Sequence, residues 1–316
     1  MSEGKPPAIC LLGPTAAGKT DFAIDIVSRI PCEIISVDSA QIYRGMDIGT
    51  GKPDAETLRR APHRLIDFLD PALAYSASTF RDDAIREMLE ISKAGKIPLL
   101  VGGTMLYFKA LRDGLAEMPA SDERVRQEIL AFAEREGWGA VHDTLQSVDP
   151  ESAARIHPND PQRLQRALEV YRVSGVTMTQ WHHREKEQGA KESLPFELHF
   201  FSIQPSDRAV LHERIARRFL GMIELGLVAE VQRLYERADL HLGMPSMRAV
   251  GYRQVWQHIA GEISFDAMVE QGIIATRQLA KRQITWMRSW DNLRKFDSET
   301  PETLDLLLNS ISKIAI

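Results

Sequence analysis

Cysteine is scarce in this chain: Cys10 and Cys32 are the only two among 316 residues. Two thiols cannot frame a disulfide scaffold or a cysteine zinc cage, so a reducing compartment, the cytoplasm, is expected. Long apolar runs are missing too. No stretch approaches the roughly 18 apolar residues of a membrane span, which argues against a membrane protein. The apolar run from Ala8 leads into a Gly-rich loop where a signal peptide would continue to a cleavage site. Charge of one sign is modest, since 39 Lys plus Arg against 44 Asp plus Glu leave a net −5. That balance excludes a protein that coats nucleic acid non-specifically, while leaving room for a local basic groove. Repeats and low-complexity tails are absent. What is present, 44% hydrophobic and 26% charged residues, is ordinary globular composition. The length suits one large domain with an insertion, or two domains sharing a core.

Short apolar runs from Ala8 to Leu12, Glu33 to Val37 and Ile97 to Val101, each bounded by Gly, Pro or Asp, read as buried strands. Phe80 to Ala94 has helical periodicity, and strands alternating with helices imply a parallel sheet covered on both faces. After Gly114 the texture changes. Ser121 to about Gly189 is helical, with breaks at Gly137, Gly139, Pro150, Pro158 and Pro161. A strand returns at Phe196 to Ile203, followed by long helical stretches from Asp207 and from Phe265. The expected fold is therefore α/β, a phosphate-loop parallel sheet flanked by helices, with an inserted helical domain. Expected bounds are 1–114 for the first part of the core, 115–194 for the insertion and 195–316 for the return to the core.

The strongest local signal is Gly13-Pro14-Thr15-Ala16-Ala17-Gly18-Lys19-Thr20, which fits GxxxxGK[ST] between a strand and a helix. Such a loop curls so that backbone N–H groups point at phosphate oxygens. Lys19 adds a point charge, Thr20 is placed to ligate magnesium, and the helix start adds its dipole. Asp38 ends the second strand, at the edge where ligands bind in open α/β sheets. It reads as a magnesium ligand, a general base or a helix cap. Thr104 follows the third strand as either a helix N-cap or a group near the chemistry.

Basic residues follow helical spacing. From Met268 onward, Val269, Ile273, Ala280, Ile284 and Met287 form a core stripe, with Arg277, Lys281 and Arg288 beside it where a helix lines a cleft. Arg214 and Arg217 are spaced to do the same on another helix. In the insertion, Leu164, Ala167, Leu168 and Tyr171 mark a buried face, Gln162 and Arg166 point away, and Arg163 flanks them. Replacing Arg163 and Arg166 with Ala is accordingly expected to spare helix stability.

Taken together, GPTAAGKT from Gly13, DSAQIYRGMDIGTGKP from Asp38, PHRLIDFLDP from Pro62, YSASTFRDDA from Tyr75 and GGTMLYFKAL from Gly102 resemble the bacterial-type tRNA dimethylallyltransferases. So do HPNDPQRLQRALEVY from His157, MPSMRAVGYRQ from Met244 and TRQLAKRQITWMR from Thr276. The resemblance runs in order to about Arg288. Met105 departs from a common Gly and Arg64 from a frequent His, and the C-terminal zinc finger of eukaryotic relatives is lacking.

The resemblance implies transfer of a dimethylallyl group from dimethylallyl diphosphate to N6 of the adenosine 3′ to a tRNA anticodon. Asp38, Thr104 and Lys19 would be catalytic. Gly13 to Thr20 would hold the diphosphate with Arg217, and magnesium would sit on Thr20. The positions meeting tRNA would be Asp38, Ser39, Ala40, Gln41, Thr104, Arg126, Gln162, Arg163, Leu164, Gln165, Arg166, Gly243, Met244, Pro245, Ser246, Met247 and Arg248. The helical insertion would close on the anticodon stem-loop, and a monomer is expected. A phosphate-loop small-molecule kinase, a prenyltransferase using adenine nucleotides and an RNA-binding nucleotide switch remain the alternatives.

Overall fold

Six strands form one sheet in the computed structural model, which describes residues 4–115, 118–188 and 194–314. They are β1 (Pro7–Leu12), β2 (Cys32–Val37), β3 (His63–Arg64), β4 (Ile97–Gly102), β5 (Glu197–Gln204) and β6 (Arg294–Asp297). The order across the sheet is β3-β2-β4-β1-β5-β6, and every pairing is parallel. The four strands expected from apolar runs are the central ones. The two that were not expected, β3 and β6, are the edges. An edge strand is covered less completely than a central one, so His63-Arg64 and Arg294-Lys295-Phe296-Asp297 carry no apolar run to betray them.

The helices in chain order are α1 (Lys19–Val27), α2 (Ala55–Arg60), α3 (Ala77–Lys93), α4 (Met105–Asp113), α5 (Glu123–Val148), α6 (Pro150–Arg155) and α7 (Pro161–Ser174). They continue as α8 (Met178–Gln188), α9 (Arg208–Glu224), α10 (Leu227–Tyr235), α11 (Tyr252–Ile259), α12 (Phe265–Arg288) and α13 (Thr303–Ser312). The chain divides into two compact units, one from Met1–Arg112 with Leu194–Ile316 and one from Asp113–Ser193.

In the first unit the strand pleat sorts side chains to opposite faces. Ala8, Cys10 and Leu12 of β1 join Phe80, Met88 and Phe108 from α3 and α4 on one face. Ile9 and Leu11 join Ala23 and Ile26 of α1 and Leu307 and Ile311 of α13 on the other. A third apolar cluster, with Phe219, Leu227, Val231, Tyr252 and Met268, ties α9 to α12 to the segment around Ile42 and Met46. Both cysteines are free and buried, and burial pushes their thiols up, that of Cys32 to about 12.

The second unit is a helical bundle with its own core of Val125, Ile129, Val141, Leu145, Leu164, Ala167 and Leu168. Its breaks are made by local chemistry. Asp149 and Asp160 accept the backbone N–H of Ser152 and Arg163 at helix starts where Pro150 and Pro161 occupy the first turn. The α5 kink falls at Gly137 alone, with φ 84, and not also at Gly139.

Three expectations are corrected here. Tyr171 is half-buried, and Glu169 takes its place on the inner face with no exposed surface. Leu164 is fully buried, so its side chain packs in the core and does not face RNA. Arg166 does not simply point away: its Nη1 donates to Glu169 Oε2 at 2.9 Å and its Nη2 to the Pro119 carbonyl at 2.8 Å. Glu169 Oε1 in turn accepts from the Asp122 N–H and from Arg126 Nε. The buried carboxylate thus holds two of the arginines expected to meet RNA, while Gln162 and Arg163 are exposed and Gln165 Nε2 donates to the Arg126 carbonyl.

Arg166→Ala is therefore expected to destabilise the second unit by about 2–3 kcal/mol, because it strips a charged partner from a buried carboxylate. Arg163, exposed and among the described residues paired only with Asp160 at 3.3 Å, should cost under about 0.5 kcal/mol when replaced. Denaturant midpoints of the two single variants check this, and equal midpoints would refute it.

Candidate active site

The carboxyl ends of β1, β2 and β4 open onto a cleft of about 520 Å³ in the first unit. Its walls come from the Gly13–Thr20 loop, the Asp38–Gln41 turn, the Gly102–Met105 turn, and helices α9 and α12. The loop between β1 and α1 turns at Gly18, whose φ of +86 only glycine adopts without strain. From α1, Lys19 Nζ folds back to donate to the carbonyls of Gly13 and Pro14 at 2.9 and 2.8 Å. Thr15, Ala16, Lys19 and Thr20 line the cleft; Gly13 and Pro14 are buried beneath it.

Asp38 stands opposite at the end of β2. Its Oδ1 accepts from the N–H groups of Ala40 and Gln41 at 2.8 and 3.2 Å, which makes a turn. No helix follows within ten residues, so the cap reading is realised by one oxygen on a turn. Oδ2 has no hydrogen bond among the described residues. Thr104, at the start of α4, does not cap its helix with its side chain: Oγ1 accepts from the Ser39 N–H at 3.0 Å and donates to Ser39 Oγ at 3.4 Å. The β2 and β4 edges are thereby joined. Gln41 turns inward, with Oε1 accepting from Ser36 Oγ and Nε2 donating to the carbonyls of Thr50 and Gly51.

Arg217, expected beside the diphosphate loop, lies beside it but outside the main cleft: it lines an adjoining concavity with Ala16, Ala17 and Gly18 of the loop and with Asp21, Arg214 and Arg218. Its neighbour Arg218 lines the main cleft and packs on Gly51, where a Cβ would lie 1.8 Å from Nη2. The signal for Arg218 was present: it lies seven residues beyond Leu211 and three beyond Ile215, both buried, so it shares their stripe. Burial pulls the guanidinium below its ordinary value, and Asp38 and Asp21 oppose this. Arg277, Lys281 and Arg288 do not line the cleft either. On α12 that face is Thr276, Leu279, Arg282, Gln283 and Trp286.

Of the later positions expected to meet tRNA, Pro245 and Arg248 line the cleft. Ser246 and Met247 are buried, the first donating to the Pro71 carbonyl and the second packing in the α9–α12 cluster. Gly243 is exposed and Met244 is half-buried, outside the cleft lining.

Two further residues shape the site. His63 on β3 lines the cleft with Nδ1–H donated to the Ala61 carbonyl at 2.7 Å, and burial holds its ring below the ordinary value and so neutral. Glu230 of α10, buried, accepts from the N–H groups of Asp47, Ile48 and Gly49 and from Tyr252 Oη, which fixes the wall that Gly49 to Gly51 present.

Electrostatics concentrate on the loop. Lys19 is pulled down to about 8, first by burial and then by the charge of Arg218, with Asp38 opposing. An anion binds the protonated amine, so affinity for inorganic diphosphate should be level below about pH 8 and weaken as Lys19 loses its proton above it. Isothermal titration from pH 6.5 to 9.5 checks this, with Lys19→Ala as the control that reports the ligand's own ionisation. A parent curve parallel to that control would refute it.

Comparison with known proteins decides the family. The IPP transferase family model matches residues 41–290, and an isopentenyl transferase model matches residues 7–70. The chain belongs to the IPP transferase family. Among solved structures it is similar to a tRNA isopentenylpyrophosphate transferase from Bacillus halodurans at 35% identity, covering 98% of this chain and 97% of that one, with a TM-score of 0.72. A tRNA delta(2)-isopentenylpyrophosphate transferase from Staphylococcus epidermidis is 34% identical, with 98% of each chain covered and a TM-score of 0.69. A eukaryotic dimethylallyltransferase acting on tRNA, 24% identical, covers 97% of this chain and 77% of its own with a TM-score of 0.77; that likeness shows the fold. An IPP transferase is an enzyme of the prenyltransferase class, so the kinase and nucleotide-switch alternatives fall away.

Proposed function

We propose that this IPP transferase moves a dimethylallyl group from dimethylallyl diphosphate to N6 of the adenosine 3′ to the anticodon of tRNA. Prenyl transfer to tRNA is the activity named for the Bacillus and Staphylococcus relatives over the full chain. The observation that carries the finer reading is a cleft in which a diphosphate loop and, among its cations, Lys19 and Arg218 share the lining with a carboxylate, Asp38. The reaction needs both. The N6 lone pair is delocalised into the purine, so removing the proton as the N6–C1 bond forms helps the attack, and Asp38 Oδ2 is the acceptor. The C1–O bond breaks, and the charge gathering on the departing diphosphate is met by the loop N–H groups, Lys19 and Arg218. Thr104 holds the Asp38–Ser39 edge in place through Ser39. The target base leaves its stack to enter the cleft.

Magnesium fits with few protein donors. No group of three His, Cys, Asp or Glu side chains among the described residues could hold a metal, whereas the Thr20 hydroxyl lines the cleft beside the loop. That matches an ion that takes most of its oxygens from substrate phosphate and water. When bound it supplies charge neutralisation to the leaving group. In the second unit, Arg126 and Arg166 held by Glu169, with exposed Gln162 and Arg163, would meet the tRNA backbone. No described helix is long and apolar enough to cross a membrane. The proposed location is the cytoplasm, where tRNA resides and the free thiols stay reduced. A monomer is the proposed state.

The test is incubation with dimethylallyl diphosphate, magnesium and undermodified tRNA, followed by nucleoside mass analysis. Prenylated adenosine 3′ to the anticodon is expected without ATP. Product that requires ATP, or that forms only on free adenine nucleotides, would overturn the reading.

A further inference from the structure

One amide bridges the two sides of the cleft. Gln283 projects from α12 and is only 9% exposed. Its Oε1 accepts from the Thr15 N–H at 2.9 Å and its Nε2 donates to the Gly103 carbonyl at 2.9 Å. The amide orientation follows from the partners, since Thr15 offers only a backbone N–H and Gly103 only a carbonyl. A Cβ on Gly103 would lie 2.4 Å from Nε2, so the close approach requires that glycine. The turn braced at Gly103 continues into Thr104, whose Oγ1 holds Ser39 beside Asp38. A path of hydrogen bonds and peptide links therefore joins the diphosphate loop to the base: Thr15, Gln283 and Gly103 by hydrogen bonds, then along the chain to Thr104, by hydrogen bonds to Ser39, and along the chain to Asp38.

This path lies where the sheet cannot help. The β1–β4 and β2–β4 ladders end at Leu12, Val37 and Gly102; beyond them the Thr104 N–H still donates to the Val37 carbonyl at 3.2 Å, but no backbone hydrogen bond among the described residues joins the Thr15 loop to the Gly103 turn. That gap is the one Gln283 spans. We propose that Gln283 is a positioning residue that sets the separation between the diphosphate loop and the Asp38–Thr104 edge, and hence the alignment of leaving group and base. Only glutamine does this at that reach. Asparagine is a methylene short, glutamate has no donor when ionised, and lysine and arginine have no acceptor. The inference rests on the prenyl-transfer reading above and adds a role to the same site.

Gln283→Leu removes both bonds. It should lower kcat on the order of 10- to 100-fold, as misalignment of reacting groups does, with KM for tRNA changed little. Gln283→Glu is the sharper variant, because its introduced carboxyl accepts from Thr15 but repels the Gly103 carbonyl unless it carries a proton. Its rate relative to the parent should be low at pH 8 and rise toward the parent as pH falls to 5.5. The cleft's other titratable or charged groups, Lys19, Asp38, Tyr43, His63, Arg218, Arg248 and Arg282, are common to both proteins, so the ratio isolates position 283. Inorganic diphosphate affinity is measured in parallel by calorimetry and should weaken in Gln283→Leu whatever the acceptor. A parent that makes no prenylated tRNA overturns the functional reading. An active parent with a flat Gln283→Glu ratio and unchanged diphosphate affinity in Gln283→Leu overturns this inference.

Discussion

Asp38→Asn is expected to lower the rate of prenyl transfer on the order of 10²- to 10⁴-fold, the usual worth of a general base. The substitution separates the turn that the carboxylate makes from the proton transfer proposed for it. Oδ1 makes the turn by accepting from the Ala40 and Gln41 N–H groups, and an amide oxygen accepts those bonds equally well. The turn, the Ser39–Thr104 link and the shape of the edge should survive. Oδ2 becomes an NH₂ group, which cannot take the N6 proton. Single-turnover transfer should collapse while tRNA affinity falls less than about threefold, an energetic change of roughly 0.6 kcal/mol. A rate near the parent's would leave Asp38 as a turn-former alone.

The second large effect is expected on the leaving-group side. Lys19→Ala and Arg218→Ala should each lower kcat on the order of 10²- to 10³-fold by removing a charge placed where negative charge gathers. The two cations line the same cleft, and the charge of Arg218 already lowers the proton affinity of Lys19. Their losses should therefore combine to less than the product of the single effects. Arg217→Ala is the informative contrast, because that residue lines only the adjoining concavity, whereas Arg218 lines both it and the main cleft. It should retain activity within about threefold, roughly 0.6 kcal/mol in barrier. Steady-state kinetics of the three single variants and the Lys19–Arg218 double variant decide it. An Arg217→Ala loss equal to that of Arg218→Ala would reverse the assignment of the cation.

The parts legible in the amino-acid order are those set by neighbours along the chain. Residues 13–20 read as a phosphate loop, and the structure places them between a buried strand and a helix as expected, because glycine spacing and both flanking elements are all local. The runs at Ala8–Leu12, Glu33–Val37, Ile97–Val101 and Phe196–Ile203 announce central parallel strands, because burial on both faces demands continuous apolar sequence. Asp38 and Thr104 follow two of those strands and so had to stand at the sheet's carboxyl edge.

Only the tertiary structure decided which side chains meet across that edge and what lies under the helical faces. The contacts are between residues far apart in sequence, and spacing carries no record of a partner. Gln283 reaches Thr15 across 268 positions and Glu230 reaches Asp47 across 183. Glu169 is an acidic residue in a helix, and a charge is ordinarily placed outside; two arginines and a backbone N–H make its burial tolerable. Arg217 and Arg218 are neighbours of identical chemistry. The 100° turn between them along α9 brings Arg218 into the main cleft and leaves Arg217 in the adjoining concavity alone.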